Sequence, residues 1–149
     1  MQANGTIDGL MDDVVSRVCD VLLPATRPGV YIWGGEPTIA LPANPGRGGR
    51  NQHLALALAT KLDKRKTVSG RSLTVLVGGT DGTDGPTDDA GGSVDNATAA
   101  RAAALQLDLQ DYLARADAGS CLEVLDALLT TGPTGTNVMD LMIAIVGEP

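Results

Sequence analysis

The sequence predicts an α/β fold, a single-domain α/β sandwich in which a mixed, mainly parallel sheet is flanked by helices. Short apolar and β-branched runs alternate with stretches whose apolar residues recur at helical spacing, and this alternation is typical of strands connected by helices. The chain has 149 residues, of which 43% are hydrophobic and 19% are charged. It can therefore bury one core, and it has the usual size of one domain.

The first predicted element is a helix within residues 1–29 that leads into the domain. Apolar residues recur every three or four positions through residues 7–22, and Thr6 or Asp8 is available as the N-terminal cap. We expect this helix to pack on the remainder of the domain, residues 30–149, because no linker-like segment divides the chain.

Two strands, a helix and a third strand are predicted next. Residues 30–33 and 38–41 are short apolar runs separated by a Gly-Gly-Glu-Pro bend. After a glycine-rich loop, apolar residues at helical spacing through residues 54–62 predict a helix. Residues 73–77 form a nearly continuous apolar run, which favours a central strand buried on both faces.

The C-terminal part is predicted to contain three short helices and a last strand. The helices cover about residues 96–105, 109–116 and 120–129, and the strand covers residues 141–146. Three glycine-rich loops lie next to the predicted elements of the chain. In α/β sheets such loops meet along one edge, where ligands bind beyond the strand ends, so we expect them to form one site.

Charge and composition exclude several kinds of partner. The formal net charge is −7, whereas a nucleic-acid surface needs clustered Lys and Arg, so no nucleic-acid partner is predicted. The longest apolar run, residues 141–146, is far shorter than the ~20 residues that span a bilayer, and the polar N-terminus lacks signal-peptide features. Cys19 and Cys121 have no metal-type spacing. These features favour a cytoplasmic protein without a membrane partner.

The first glycine-rich loop is a candidate anion site. Gly48 and Gly49 stand between Arg47 and Arg50 at a predicted helix N-terminus, where unpaired amides and guanidinium groups suit phosphate or carboxylate oxygens. The alternative is a flexible turn with two solvated arginines. Asn51 occupies the third glycine position of the dinucleotide-binding fingerprint, so the loop does not indicate a nicotinamide cofactor.

The second glycine-rich loop is acidic. Carboxylates and hydroxyls at its spacing can hold Mg²⁺ through waters or accept hydrogen bonds from a polyhydroxylated substrate. The alternative is a solvated turn with acidic caps, because Asp and Gly are common turn residues. The oxygen-bearing side chains of this loop are those of Thr80, Asp81, Thr83, Asp84, Thr87, Asp88 and Asp89.

The third glycine-rich loop lacks the lysine that follows Gly135 in a phosphate-binding P-loop. Its backbone amides can form an anion nest, to which Thr134, Thr136 and Asn137 add side-chain hydrogen bonds. The alternative is a turn that enters the last strand. His53 lies in the helix after the first loop, and no serine or cysteine accompanies it in a catalytic arrangement, so we interpret it as a surface or capping residue.

Four segments together resemble the C-terminal MOFRL domain of the glycerate 2-kinase family. Each segment is a weak signal alone, but four in the correct order are specific. They are residues 34–38 (GGEPT), 46–52 (GRGGRNQ), 79–88 (GTDGTDGPTD) and 131–138 (TGPTGTNV). The resemblance covers about residues 30–146.

This resemblance implies ATP-dependent phosphorylation of D-glycerate to 2-phosphoglycerate, with Mg²⁺, in a cleft between this domain and a larger N-terminal nucleotide-binding domain. Arg50 matches the position of the family's proposed catalytic arginine, and Asp84 and Asp88 would hold the metal. His53 stands where the family commonly has glutamate, and its role stays open. The substrate-binding residues implied in the same way are Arg47, Gly48, Gly49, Asn51, Thr80, Asp81, Thr83, Asp84, Thr134, Thr136 and Asn137.

The nucleotide-binding half that the resemblance implies is absent from these 149 residues. We therefore expect the isolated chain to be inactive or nearly so, and to need that half in the same or a separate chain. Two alternatives stay open. One is a non-catalytic module that binds a hydroxy acid or a phosphorylated metabolite. The other is hydroxypyruvate reduction, a label that some family members carry. The sequence leaves the oligomeric state open, including a homo-oligomer.

Overall fold

The computed structural model describes residues 2–64 and 70–148, which form a mixed six-stranded sheet with helices packed against it. The predicted α/β class is confirmed. The strands are β1 (Gln2–Thr6), β2 (Gly9–Leu10), β3 (Gly29–Gly35), β4 (Pro37–Thr38), β5 (Leu73–Gly79), β6 (Gly91–Asp95), β7 (Leu128–Leu129) and β8 (Asp140–Val146). The helices are α1 (Met11–Leu22), α2 (Arg50–Lys64), α3 (Thr98–Ala104), α4 (Leu109–Ala114) and α5 (Ala118–Val124). Within the described ranges, no helix has both the length and the apolar character of a membrane span.

The strand order of the large sheet is β1-β3-β8-β5-β6-β7, and β2 and β4 form a separate parallel pair. β1 pairs with β3 in parallel, whereas the other pairings in the large sheet are antiparallel. The expectation of a mainly parallel sheet is therefore wrong. The reason is that β8 inserts between β3 and β5 and runs opposite to both. In addition, residues 80–90 join β5 to β6 as a loop and not as a crossover helix.

Helices cover one face of the sheet. On β5, Leu73, Val75 and Val77 are buried while the alternating Thr74 is exposed. The same alternation along β8 leaves Ile145 50% exposed. The predicted central position of β5 is confirmed by its place between β8 and β6, but the expected burial on both faces is wrong. The continuous apolar run of residues 73–77 is compatible with a strand covered on both faces and with a strand covered on one face, so the sequence did not separate the two cases.

Helix α2 is the centre of the helical layer. It packs against β5 and β6 and contacts each of the other four helices of the described ranges. Leu54, Leu58 and Leu62, whose spacing predicted the helix, are buried in the core. Because α2 is anchored on so many elements, its first residue, Arg50, has a defined place beside the sheet.

The N-terminal region differs from the expectation. Helix α1 is present but begins at Met11, and residues before it form β1, a parallel edge strand on β3. Ile7, which was expected inside the helix, precedes it; the residue is fully buried and its N–H donates to the Gly34 carbonyl at 3.1 Å. The sequence of β1 is polar and shows no alternation typical of a strand. β1 joins the sheet through backbone pairing with β3.

Two other elements end earlier than expected. Thr38 is the last residue of β4, which pairs with β2, and Ile39 and Leu41 line a pocket instead of continuing the strand. Helix α5 ends at Val124, and the segment after it forms β7 on the edge of β6. The sequence pattern gave no signal for β6, which begins with two glycines.

Candidate functional site

Three strand ends and one helix end meet at a single edge of the sheet. In register, Asp140, the first residue of β8, lies between Gly35, the last of β3, and Gly79, the last of β5. The loops after β3, after β5 and before β8 therefore begin at neighbouring points. The start of α2 lies beside them, because Arg50 contacts Asp140. The expected meeting of the loops at one edge is found in the structure.

A pocket of about 290 Å³ opens at this edge. Arg50, Asp81 and Asp84 line it together, so the guanidinium and the carboxylates singled out from the sequence face one cavity. Further polar and glycine residues of the lining are Gly48, Gly49, Asn51, His53, Thr83, Asn137 and Asp140.

Arg50 is held by two carboxylates. Its Nε and Nη2 donate to Asp140 Oδ2 and Oδ1 at 2.6 and 3.3 Å, and its Nη1 lies 2.6 Å from Glu36 Oε1. The hydrogen bond to Asp140 raises the pKa of the guanidinium, and burial acts in the opposite direction. Because 35% of the side chain is exposed, a positive charge remains accessible to a ligand in the pocket.

Asp84 caps the N-terminus of α2. Its Oδ1 accepts the Asn51 N–H at 3.0 Å, its Oδ2 accepts the Gln52 N–H at 2.8 Å, and Asn51 Nδ2 donates to Oδ1 at 3.2 Å. Gly49 permits this approach, since a Cβ at that position would lie 2.3 Å from the Asp84 carboxylate. The anion predicted at this helix start is therefore a carboxylate of the chain itself.

The pKa of Asp84 is raised to about 6 because burial of the carboxyl disfavours its charged form, while the amide hydrogen bonds from Gln52 and Asn51 act in the opposite direction. Asp88, by contrast, is exposed and lies outside the pocket. Across residues 2–64 and 70–148, no three His, Cys, Asp or Glu side chains are arranged to hold a metal ion. The geometry does not favour the expected Mg²⁺ pair, because Asp84 is buried against the start of α2 while Asp88 is exposed outside the pocket, and the pair stays a prediction.

Arg47 lies outside the pocket and serves the fold. Its Nη2 and Nη1 pair with Asp89 at 3.0 Å and with Glu123 at 2.7 Å, and its backbone N–H donates to Asp117 Oδ1 at 2.9 Å. These contacts tie the first loop to α5 and to the second loop. The position of Arg47 outside the pocket does not favour the expected substrate contact, which stays a prediction, and no local pattern distinguished Arg47 from Arg50.

Three threonines expected to bind substrate lie outside the pocket and join the second loop to the third. Thr80 Oγ1 donates to the Met139 carbonyl at 2.7 Å and accepts the Val138 N–H at 2.8 Å. Thr134 Oγ1 donates to the Thr80 carbonyl, and the Thr136 N–H donates to Thr134 Oγ1 at 3.3 Å. The hydroxyls of Thr80 and Thr134 form hydrogen bonds within the fold, and all three threonines lie outside the pocket, so their contacts with a substrate stay predictions.

Asp81, Thr83 and Asn137 form one polar wall of the pocket. Asp81 Oδ1 accepts the Thr83 N–H at 3.1 Å and its hydroxyl at 3.2 Å. Asn137 Nδ2 lies 3.4 Å from Asp81 Oδ2 and donates to it. Asp81 is half-buried and Thr83 and Asn137 are exposed, so this wall offers acceptors and donors to hydroxyl groups of a bound molecule.

His53 lines the pocket three residues after Arg50 and is half-buried, so its interpretation as a surface or capping residue is wrong. Its Nδ1 is buried and has no hydrogen-bond partner among the described residues. Burial lowers the pKa of the imidazole, and the charge of Asp12 acts in the opposite direction. His53 therefore adds an uncharged polar ring to the pocket at neutral pH.

Asp140 and Glu36 both bind Arg50, and neither of these two contacts was predicted from the sequence. Asp140 directly precedes the last apolar run, which places it where that strand leaves the loop edge. This position was the available signal. Its pairing with an arginine 90 positions away depends on β8 lying between β3 and β5.

Comparison with known proteins gives a consistent result. The MOFRL family model matches residues 29–140. The D-glycerate 2-kinase of Thermotoga maritima is 46% identical over 123 residues, which are 83% of this chain and 28% of that protein. An Agrobacterium vitis protein with a hydroxypyruvate reductase name is 39% identical over 126 residues, 84% of this chain and 31% of that protein. The crystal structure of the glycerate kinase from Thermotoga maritima matches 97% of this chain and 36% of that chain, with a TM-score of 0.83 and 38% identity.

The chain thus spans roughly a third or less of the length of these relatives. The family match covers well over half of the chain and includes all three glycine-rich loops. The chain belongs to the MOFRL family and is similar throughout to one part of the glycerate kinases.

Proposed function

We propose that this chain is the substrate-side domain of an ATP-dependent glycerate 2-kinase that phosphorylates D-glycerate to 2-phosphoglycerate. The observation that carries the proposal is the pocket shared by Arg50, Asp81 and Asn137, in a chain 46% identical over 123 residues to a D-glycerate 2-kinase. A guanidinium beside hydroxyl-binding groups suits a substrate that combines a carboxylate with hydroxyls.

Four residues of the pocket have a task in this reaction. Arg50 donates to phosphoryl oxygens and stabilises the charge that develops on the transferring group. Asp140 orients Arg50, and Asp81 with Asn137 positions the hydroxyls of glycerate. Phosphoryl transfer depends mainly on positioning and charge stabilisation, so this assignment requires no nucleophilic side chain.

ATP and Mg²⁺ are proposed to bind with an N-terminal nucleotide-binding half, in the same or a separate chain. The charges of the pocket support this division, because Arg50 faces the carboxylates of Asp81, Asp84 and Asp140. Further positive charge would therefore strengthen the binding of an anionic substrate. When bound with ATP, Mg²⁺ supplies such charge at the phosphates. We expect the isolated chain not to turn over glycerate, and we expect the complete enzyme to act in the cytoplasm.

The decisive experiment is Arg50→Ala in an enzyme reconstituted from this chain and the nucleotide-binding half. We predict that kcat falls by about 10²–10³-fold, since one donor to the developing charge is lost, while circular dichroism stays unchanged. Arg17→Ala is the matched control, because Arg17 lies outside the pocket and donates to the Asp8 carbonyl at 2.7 Å. Undiminished turnover of Arg50→Ala would overturn the assignment.

A second candidate function is a non-catalytic module that binds a hydroxy acid or a phosphorylated metabolite. The pocket favours it, because Arg50, Asp81 and Asn137 offer donors and acceptors to such a ligand. Calorimetric titration with D-glycerate and 2-phosphoglycerate separates the two. Affinity that the nucleotide-binding half leaves unchanged supports the module, whereas affinity that this half increases supports the kinase.

Hydroxypyruvate reduction is a third candidate, favoured by the name of the Agrobacterium vitis relative. Reduction by this chain would require a nicotinamide site, and the first loop departs from the dinucleotide fingerprint at Asn51. Hydroxypyruvate-dependent oxidation of NADH by the purified chain would support the reductase and contradict the kinase.

A further inference from the structure

Arg50 is bound by two carboxylates, and the fold places one of them firmly. The Asp140 side chain is 4% exposed, and in register the residue lies between Gly35 and Gly79 on the two neighbouring strands. It accepts hydrogen bonds from Nε and Nη2 of Arg50. Because the Asp140 side chain is buried and its backbone is paired on both sides, this ion pair is the more firmly held of the two.

Glu36 is held much less firmly. Its side chain is 53% exposed, and the residue stands alone between β3 and β4. The Glu36 N–H donates to Asp8 Oδ1 at 2.7 Å, which anchors the main chain but leaves the carboxylate to rotate. An ion pair half in water costs little to break, because water replaces the lost contact. The contact between Arg50 Nη1 and Glu36 is therefore the one that a ligand can replace.

We propose that Glu36 is an internal anion on Arg50 that the carboxylate or phosphate group of the ligand displaces, while Asp140 stays as the positioning residue. The proposal deepens the proposed function and rests on it in taking this pocket as the substrate site. The exchange also solves a charge problem. Arg50 faces two carboxylates before binding, and after the exchange it faces Asp140 and the anion of the ligand, so the guanidinium is not surrounded by a third negative group.

The test is a titration of the complete 149-residue chain with inorganic phosphate and, separately, with D-glycerate. Binding is followed by the side-chain ¹H–¹⁵N signals of Arg50. We expect Glu36→Gln to bind at least one of these anions about three-fold more tightly than the unchanged chain. That factor equals ~0.7 kcal/mol and matches a half-exposed ion pair. A gain with phosphate alone identifies a phosphoryl group as the displacing anion, and a gain with D-glycerate identifies a carboxylate.

Glu148→Gln is the matched control, because it makes the same charge change at a residue that is 79% exposed and pairs with Arg71 outside the pocket. Its affinity should equal that of the unchanged chain. Bound phosphate should leave the Arg50 Nε–H signal in place, whereas Asp140→Asn should move that signal and weaken binding. Equal affinity of Glu36→Gln and the unchanged chain, an equal gain in Glu148→Gln, or no binding by any of them would overturn the proposal.

The proposed function fails in a different assay. If the reconstituted enzyme does not phosphorylate glycerate although Glu36→Gln tightens anion binding, the kinase is refuted and the exchange at Arg50 stands. If the enzyme is active and Glu36→Gln leaves both affinities unchanged, the exchange is refuted and the kinase stands.

Discussion

The Asp84 carboxyl combines deep burial with three hydrogen bonds at the start of α2. Burial raises its pKa to about 6, above the ordinary value of 3.8. Between these two pH values the folded chain holds a proton that the unfolded chain has released. The stabilisation from this group is therefore complete below about pH 4 and is lost as the pH rises through about 6.

We predict that Asp84→Asn removes this pH dependence. The free energy of unfolding of the unchanged chain, minus that of the variant, should fall by on the order of 2–3 kcal/mol from pH 4 to pH 7. Urea denaturation at several pH values measures this difference. Asp20→Asn, on the exposed side of α1, controls for the change in net charge. A difference that stays constant for Asp84→Asn would refute the effect of burial.

At the scale of elements, the two arginines of the first loop serve different connections. Arg47 joins the loop to α5 and to the second loop, with Glu123 and Asp89 as its partners. Arg50 joins the start of α2 to the start of β8 and faces the pocket. The order of elements pairs Arg47 with other elements of the fold and places Arg50 at the pocket, although each arginine follows a glycine in the sequence.

Arg47→Ala and Arg50→Ala should therefore separate stability from binding. We predict that Arg47→Ala lowers the free energy of unfolding by about 1 kcal/mol, because two partly exposed ion pairs are lost. Its affinity for inorganic phosphate should be unchanged. Arg50→Ala should lose phosphate binding. Denaturation and titration of both variants check this, and loss of phosphate binding by Arg47→Ala in a chain of unchanged stability would contradict it.

Elements with strong internal periodicity were the ones that could be predicted. The leucine stripe of α2 and the apolar runs of β5 and β8 identified those elements. β1 and β6 were not predicted, because polar residues and glycines join a sheet only through backbone pairing with a neighbour. The mainly parallel sheet was wrong for a related reason, since strand direction depends on where β8 inserts.

At the scale of the whole molecule, the sheet has one face under helices and one face open. Val75 is fully buried on the helical side of β5, whereas Ile145 on β8 is 50% exposed on the other side. Periodicity alone predicted burial on both faces of β5. The second face is open because α2 and the helices that contact it pack on the first face. The sequence of a single strand does not specify where helices pack.

Matched substitutions test this one-sided core. We predict that Val75→Thr lowers the free energy of unfolding by about 1–3 kcal/mol, because the new hydroxyl is buried without a hydrogen-bond partner. Ile145→Thr should cost less than about 1 kcal/mol, because water already reaches that side chain. Urea denaturation of the isolated chain measures both. Equal costs would show that both faces are covered.

The sequence by itself determined the α/β class, the principal helix and central strands, the family and the loops that carry the pocket. These features are local, because periodicity and short motifs act within a few residues. Only the tertiary structure decided that β8 runs between β3 and β5, that Asp140 and Glu36 share Arg50, and that Asp84 caps a helix. Those contacts join residues that are 14 to 90 positions apart. The sequence alone did not reveal them, because strand order and packing decide which distant residues meet.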